Sequence, residues 1–262
     1  MIKERVLTGI ISLALLGLML FFASSLFTQI FIALFFLYAA WEFSKFFNFP
    51  VVRRRYFFVL LFGCFQIFFY LILPNDLVYQ LLLYLALIWW IIVILHIFFF
   101  PTNISNYMVW ISGFLILLPS YIAIDYLYQL DIQKFIMFFL LIWIADIGAF
   151  FSGKFFGKLK LLPKISPGKT WEGVLGGFFA VLVSTSLYGY LREIDLLILI
   201  PFCFAITVLS IVGDLTISVF KRNVGLKNSG SLFPGHGGLL DRIDSMLSTS
   251  PFFAAGIVLF NL

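Results

Sequence analysis

Long, continuously apolar runs separated by short polar segments make up this chain. A helix needs about 20 apolar residues to cross the hydrocarbon core of a bilayer, and it satisfies its own backbone groups there. The strands of a transmembrane β-barrel would instead alternate apolar and polar positions. We therefore predict membrane-spanning helices, the first two joined near Thr28 and Gln29. The predicted spans are nine in number: 6–27, 28–44, 56–74, 78–100, 107–127, 133–153, 174–191, 196–220 and 239–261.

The composition supports the same interpretation. Of the 262 residues, 63% are hydrophobic and only 11% are charged, whereas soluble domains carry about 25% charged residues. The expected fold class is therefore all-α, a polytopic helical bundle in a membrane. We divide it into N-terminal helices (1–76), middle helices (77–131) and a C-terminal catalytic region (132–262) with polar loops at 154–173 and 221–238.

The distribution of basic residues gives an orientation. With a cytoplasmic N-terminus, all of the 17 Lys and Arg residues except Lys134 and Arg192 fall on the cytoplasmic side of the nine spans. Cytoplasmic loops are enriched in Lys and Arg. The sequence thus predicts an integral membrane protein with both polar loops facing the cytoplasm.

Four acidic residues lie near the cytoplasmic ends of three predicted spans: Asp146, Asp214, Asp241 and Asp244. A charged side chain inside a membrane segment is costly and is usually functional or paired. Mg²⁺ prefers oxygen ligands and commonly takes one or two carboxylates together with substrate phosphates. We predict that Asp214 and Asp241 hold one or two Mg²⁺ ions, with Asp146 and Asp244 as further ligands. Structural pairing with a basic residue, such as Asp244 with Arg242, is the alternative.

Basic residues and glycines lie between these acids along the chain. Lys221 and Arg222 end the eighth span and are suited to binding phosphate oxygens. Lys227 is a further phosphate contact or a solvated side chain. The glycine-rich segment before the ninth span is expected to bind an anion through its backbone N–H groups. The candidates in it are Gly235, His236, Gly237 and Gly238, with His236 contacting phosphate, carrying a proton or serving only a structural role.

A second polar motif precedes the seventh span. Ser166, Lys169 and Thr170 are placed to hold a phosphate or a lipid headgroup at the start of that helix. The motif is not a Walker loop, because Pro163 stands where that loop requires its first glycine. Glu172 either caps the helix or meets Lys169.

The motifs together resemble the signature of the phosphatidate cytidylyltransferase (CDP-diacylglycerol synthase) family. They comprise Ser218-x-x-Lys221-Arg222-x4-Lys227 and His236-Gly-Gly-x-x-Asp241-Arg242-x-Asp244, preceded by motifs at 146–153 and 166–173. One residue departs from the signature: Asn228 stands where the family usually has Asp.

The resemblance implies the transfer of CMP from CTP to phosphatidate, giving CDP-diacylglycerol and pyrophosphate, with Mg²⁺ as cofactor. Arg242 joins the substrate-binding residues by the same resemblance. A monovalent cation beside Mg²⁺ and a homodimer are open, and no nucleic-acid partner is expected. The alternatives are a CTP-dependent lipid kinase, a cytidylyltransferase for another lipid phosphate, and, outside enzymes, an ion or phosphate transporter.

Overall fold

Long helices make up most of the protein, as seen in a computed structural model that describes residues 17, 24–47, 52–72, 76–99, 104–232, 237–260 and 262. A short 3₁₀ turn, Ser44–Phe46, extends the first helix. In chain order the described helices are α1 (Ser25–Phe43), α2 (Val52–Ile72), α3 (Asp76–Phe98), α4 (Asn106–Leu130), α5 (Ile132–Phe156), α6 (Trp171–Arg192), α7 (Leu196–Asn223) and α8 (Leu240–Phe260).

These helices confirm an all-α integral membrane bundle. Within the described ranges, 7 helices are long and apolar enough to cross a membrane, and α3 contributes a shorter apolar stretch, Leu82–Ile97. The first predicted span, 6–27, lies mostly outside the described residues. The predicted joint near Thr28 and Gln29 is wrong, because both residues lie inside α1. The helix begins earlier because the Ser24 hydroxyl accepts a hydrogen bond from the Phe27 N–H.

The polar segment between α5 and α6, predicted as a loop, forms a β-hairpin. Strands β1 (Lys160–Leu162) and β2 (Ser166–Thr170) are antiparallel. The base of the hairpin is closed twice: Trp171 N–H donates to the Leu159 carbonyl at 2.9 Å, and the Glu172 carboxylate accepts the Leu159 N–H at 3.1 Å. Glu172, in the first turn of α6, thus holds the base of the hairpin, whereas the Lys169 ammonium pairs with Asp214.

Small residues allow the C-terminal helices to approach closely. A side chain at Gly148 of α5 would collide with Ala180 and the Gly176 carbonyl of α6, and one at Gly176 would collide with Ser152. Between α7 and α8, Gly213 lies directly against the Asp244 carbonyl. Close approach of this kind increases van der Waals contact where lipid gives no hydrophobic drive for helix association. It also brings the acidic residues of α7 and α8 side by side.

An aromatic cluster holds the end of α1 against α7. The Phe220 ring packs edge-on against Phe43 at 5.4 Å and is stacked on Phe46 at 6.2 Å between ring centroids. Phe58 of α2 stacks on the other side of Phe43 at 6.4 Å. Fully buried aromatic rings dominate packing energetics. The cluster therefore fixes the end of α1 against the part of α7 that immediately precedes Lys221.

Candidate active site

Two lysine–aspartate pairs mark the site at one end of the bundle. The Lys169 Nζ lies 2.7 Å from the Asp214 carboxylate, and the Lys221 Nζ lies 2.6 Å from the Asp241 carboxylate. The side chains of the first pair are 25% and 29% exposed, and those of the second are 11% and 9% exposed. The first pair is thus open to a substrate, whereas the second is largely enclosed by protein.

Three of the four predicted acidic residues come together around the open pair. The Asp214 carboxyl group of α7 lies within hydrogen-bonding reach of Asp244 of α8. Asp146 of α5 lies within electrostatic range of both Asp214 and Lys169. Asp146 is exposed at this cleft. Three helices therefore supply carboxylates to one cluster, and the β-hairpin supplies the lysine that faces it.

The donor chemistry of this cluster suits Mg²⁺. Asp146, Asp214 and Asp244 approach one another without forming a ready-made metal site, since no three acidic, histidine or cysteine side chains in the described residues have metal-binding geometry. Mg²⁺ commonly uses one or two carboxylates and completes its shell with substrate phosphates and water. Asp214 and Asp244 provide two such carboxylates, and their adjacent negative charges favour a bound cation. In the structure, the Lys169 ammonium supplies part of the positive charge that these two carboxylates favour.

Asp241 has a different environment from the one expected. One carboxylate oxygen binds Lys221, and the other accepts hydrogen bonds from the Ser229 N–H at 2.8 Å, the Ser229 hydroxyl at 3.1 Å and the Gly238 N–H at 3.0 Å. This arises because α8 begins at Leu240, so that Asp241 faces the preceding loop. Its predicted role as the metal partner of Asp214 stays a prediction.

The described part of the glycine-rich loop is shaped around Asp241. Gly237 has a φ of +90°, and a side chain there would lie 2.6 Å from an Asp241 carboxylate oxygen. The N–H of Gly238 is used by Asp241, whereas the sequence had suggested that it binds phosphate. Gly235 and His236 lie outside the described residues. Asn228, the departure from the family signature, is exposed beside Gly237.

The remaining predicted phosphate contacts either have protein partners or are at least partly exposed. Arg222 donates through Nε to the Ile165 carbonyl at 3.3 Å, which links the end of α7 to the hairpin. The Thr170 hydroxyl accepts the Gly173 N–H at 3.1 Å and so caps α6. Their predicted phosphate contacts stay predictions. The others are either exposed or partly exposed, namely Ser166, Lys227 and Arg242.

The structure adds three residues that the sequence reasoning missed. Glu42 and Lys45, at the end of α1, both contact the segment before α8: Ser229 donates to Glu42 at 2.9 Å, and Lys45 donates to the Ser229 carbonyl at 3.1 Å. Glu42 carried a usable signal, because it is an acidic residue near the end of an apolar run, as Asp146 is. Ser229 gave no such sequence signal, because serine is common in polar loops.

Comparison with known proteins places this site in a family. The model of the cytidylyltransferase family matches residues 3–260. A phosphatidate cytidylyltransferase of Haemophilus influenzae is 33% identical over 97% of this chain and 98% of its own length. One of Pseudomonas aeruginosa is 37% identical over 97% of this chain and 96% of its own length. One of Bacillus subtilis is 36% identical over 57% of this chain and 59% of its own length. From these matches, the chain is a member of the cytidylyltransferase family.

Proposed function

We propose that the protein transfers CMP from CTP to phosphatidate, giving CDP-diacylglycerol and pyrophosphate. The observation that carries the proposal is the open cluster of Asp146, Asp214 and Asp244 faced by Lys169. This cluster combines carboxylates for a metal ion with a cation for phosphate oxygens. The names of the two relatives that align along nearly the whole chain support phosphatidate as the acceptor.

The reaction joins two anions, so positioning and charge neutralisation dominate its barrier. An oxygen of the phosphatidate phosphate forms a bond to the α-phosphorus of CTP, the bond between that phosphorus and the α–β bridging oxygen breaks, and pyrophosphate leaves. The ionised phosphate is itself the nucleophile, so no general base is needed. Lys169 is accessible for a phosphate oxygen, and Arg222, which is exposed in the last turn of α7, offers further guanidinium N–H donors beyond the Nε that binds Ile165.

The proposal includes Mg²⁺ bound by Asp214 and Asp244, with Asp146 beside them and Asp241 as a further candidate. When bound, the ion neutralises phosphate charge and orients the phosphate oxygens. A second ion, divalent or monovalent, belongs to the same proposal. The acidic cluster would otherwise repel both substrates, so the basic residues around it and the ion act together.

The surroundings of the hairpin support entry of the lipid from the membrane. Large apolar side chains are exposed there, with Phe155, Phe156 and Leu159 each at least 66% exposed and Trp171 at 52%. Aromatic residues are enriched at membrane interfaces, and lysines on cytoplasmic loops set orientation and attract anionic lipid. We therefore infer that the site opens at the cytoplasmic face of a bacterial inner membrane, beside the headgroups of the substrate.

The test uses purified protein in lipid nanodiscs with phosphatidate, Mg²⁺ and CTP labelled at either the α- or the γ-phosphate. We expect the α-label to enter the lipid fraction and the γ-label to leave as pyrophosphate. Transfer of the γ-label to lipid would indicate a lipid kinase, and incorporation only with another lipid phosphate would indicate a different acceptor. A folded preparation that labels no lipid would refute the proposal.

Lys169→Met tests the residue that carries the proposal, with Lys164→Met as its matched control. Both lysines lie on the hairpin segment, but only Lys169 reaches the acidic cluster. We expect kcat/KM to fall about 100-fold for Lys169→Met, as for loss of a charged contact to a transferring phosphate, and to change less than about twofold for Lys164→Met. Equal effects in the two variants would contradict the assignment.

The predicted homodimer is tested by measuring the mass of the detergent-solubilised protein by light scattering.

A further inference from the structure

Glu42 is a buried carboxylate in an otherwise apolar helix. Its exposed fraction is 0%, and it lies in the last turn of α1, in the half of the chain that contributes none of the polar motifs. A charge in such a place persists only when it is bound by specific partners. Its contacts therefore indicate what the residue does.

The partners of Glu42 belong to the start of α8 and the loop before it. Its Oε2 accepts the Leu240 N–H at 3.0 Å and the Ser229 hydroxyl at 2.9 Å. Leu240 is the first residue of α8, so Glu42 satisfies one of the backbone N–H groups left free at that helix start. Its negative charge also lies at the positive end of the α8 dipole. A residue of α1 thus caps α8 across 198 positions of sequence.

Ser229 connects Glu42 to Asp241. Its hydroxyl lies between the two carboxylates, 2.9 Å from Glu42 and 3.1 Å from Asp241, and its N–H donates to the same Asp241 oxygen at 2.8 Å. A serine hydroxyl has one hydrogen to donate, so the two carboxylates share it. Ser229 is 1% exposed, so no bulk water replaces this link. The chain of contacts runs from Glu42 through Ser229 and Asp241 to Lys221.

The local backbone is fitted to the Glu42 carboxylate. A side chain at Gly230 would collide with Glu42 Oε1, and one at Gly238 would collide with Oε2. Lys45, one turn beyond Glu42, holds the Ser229 carbonyl at 3.1 Å. The end of α1 therefore holds the loop at its carbonyl, its hydroxyl and the first N–H of α8.

We propose that Glu42 is a positioning residue for the transfer reaction: through Ser229 and Leu240 it fixes Asp241 and the first turn of α8 relative to Lys221 and Asp214. This inference rests on the proposed function for its kinetic consequence. Asp244 lies one turn along α8 from the residue that Glu42 caps, so a shift at Leu240 moves both acidic residues of that helix. The residue acts on the geometry of the reacting groups and does not touch the substrates.

The kinetic test compares Glu42→Ala, Glu42→Gln and Ser229→Ala in the labelled-CTP assay. Displacement of reacting groups by about 1 Å costs about 100-fold in rate, so we expect that loss in kcat for Glu42→Ala, with KM for phosphatidate changed less than about threefold. Gln keeps an oxygen for Leu240 and Ser229, so Glu42→Gln should recover turnover to within about fivefold. Asp125→Asn is the control, since Asp125 is a buried acidic residue, 4% exposed, that makes none of these contacts.

A double variant tests the connection through Ser229. Because Ser229→Ala and Glu42→Ala both remove the link between Ser229 and Glu42, the combined variant should lose less turnover than the product of the two single losses. The proposal would be overturned if the kcat losses of the two single variants multiply in the double variant. It would also be overturned if kcat for Glu42→Ala stays within threefold of the unsubstituted protein. If Glu42→Ala does not fold, Ser229→Ala decides alone: an isosteric loss of the hydroxyl should lower kcat about tenfold, and an unchanged kcat would overturn the proposal.

Hydrogen exchange separates this inference from the proposed function. In Glu42→Ala we expect amide exchange to rise at least tenfold in peptides covering 229–241 and to stay unchanged in the hairpin, 160–170. This readout needs no catalysis, so absence of lipid labelling by the unsubstituted protein would count against the proposed function alone. Unchanged exchange in 229–241 would overturn the role of Glu42, whatever the activity.

Discussion

The enclosed pair of Lys221 and Asp241 allows a sharp stability prediction. Lys221→Met removes the ammonium 2.6 Å from Asp241 and leaves a carboxylate whose side chain is only 9% exposed. Breaking a buried pair by removing one partner costs about 3–5 kcal/mol. Asp241 keeps three hydrogen-bond donors on its other oxygen, so we take the lower end, about 3 kcal/mol. The open pair of Lys169 and Asp214 should be worth only about 1 kcal/mol, because water reaches it.

A double variant distinguishes the burial argument from a simple loss of contacts, because the two predict opposite changes in stability relative to Lys221→Met. Lys221→Met/Asp241→Asn carries no unpaired buried charge, so it should be more stable than Lys221→Met by about 1–2 kcal/mol. Thermal unfolding in detergent, followed by tryptophan fluorescence, measures the differences. A loss of about 3 kcal/mol corresponds to a fall in Tm of about 6–12 °C. Lys169→Met is the comparison variant.

Two results would refute the reasoning about burial. One is a double variant that is less stable than the unsubstituted protein by the sum of the losses of the two single variants. The other is a Tm for Lys169→Met that falls as far as that for Lys221→Met, because exposure would then have no influence on the cost of the missing charge.

Two further predictions concern helix packing and the metal ligands. Gly176→Ala should destabilise the protein by about 1–3 kcal/mol, because its new methyl group collides with Ser152, whereas Gly168→Ala, with open space around it, should change Tm little; equal Tm values would contradict the close α5–α6 contact. Asp214→Asn should lower turnover at least about 100-fold without loss of fold, and chelation should abolish turnover reversibly on return of Mg²⁺. Near-normal rates in Asp214→Asn, or in chelator, would refute the metal assignment.

Helix positions could be predicted from the sequence because lipid imposes one requirement on every span, namely a sufficient length of apolar residues. For example, α7 was expected at 196–220 and extends from Leu196 to Asn223. The hairpin was not predicted, since its strands are short and polar and are closed by contacts of Leu159 with the start of α6.

The sequence predicted which residues form the candidate site better than it predicted which of them pair with one another. The carboxylates of α5, α7 and α8 could be placed at one depth by counting turns. Which lysine faces which aspartate depends on the rotation of each helix, and a single sequence does not encode that rotation in a readable pattern. The position of Glu42 at the end of an apolar run was a usable signal, but its partners, Ser229 and Leu240, could not be predicted because they lie at the far end of the chain.

The cap of α8 by Glu42 has a consequence for the order in which the protein is made. Ribosomes add about 5–20 residues per second, so the 198 positions between Glu42 and Leu240 take about 10–40 s to synthesise. During that interval the Glu42 carboxylate has none of its loop or α8 partners. The end of α1 therefore gains its full set of contacts only after the start of α8 has been synthesised.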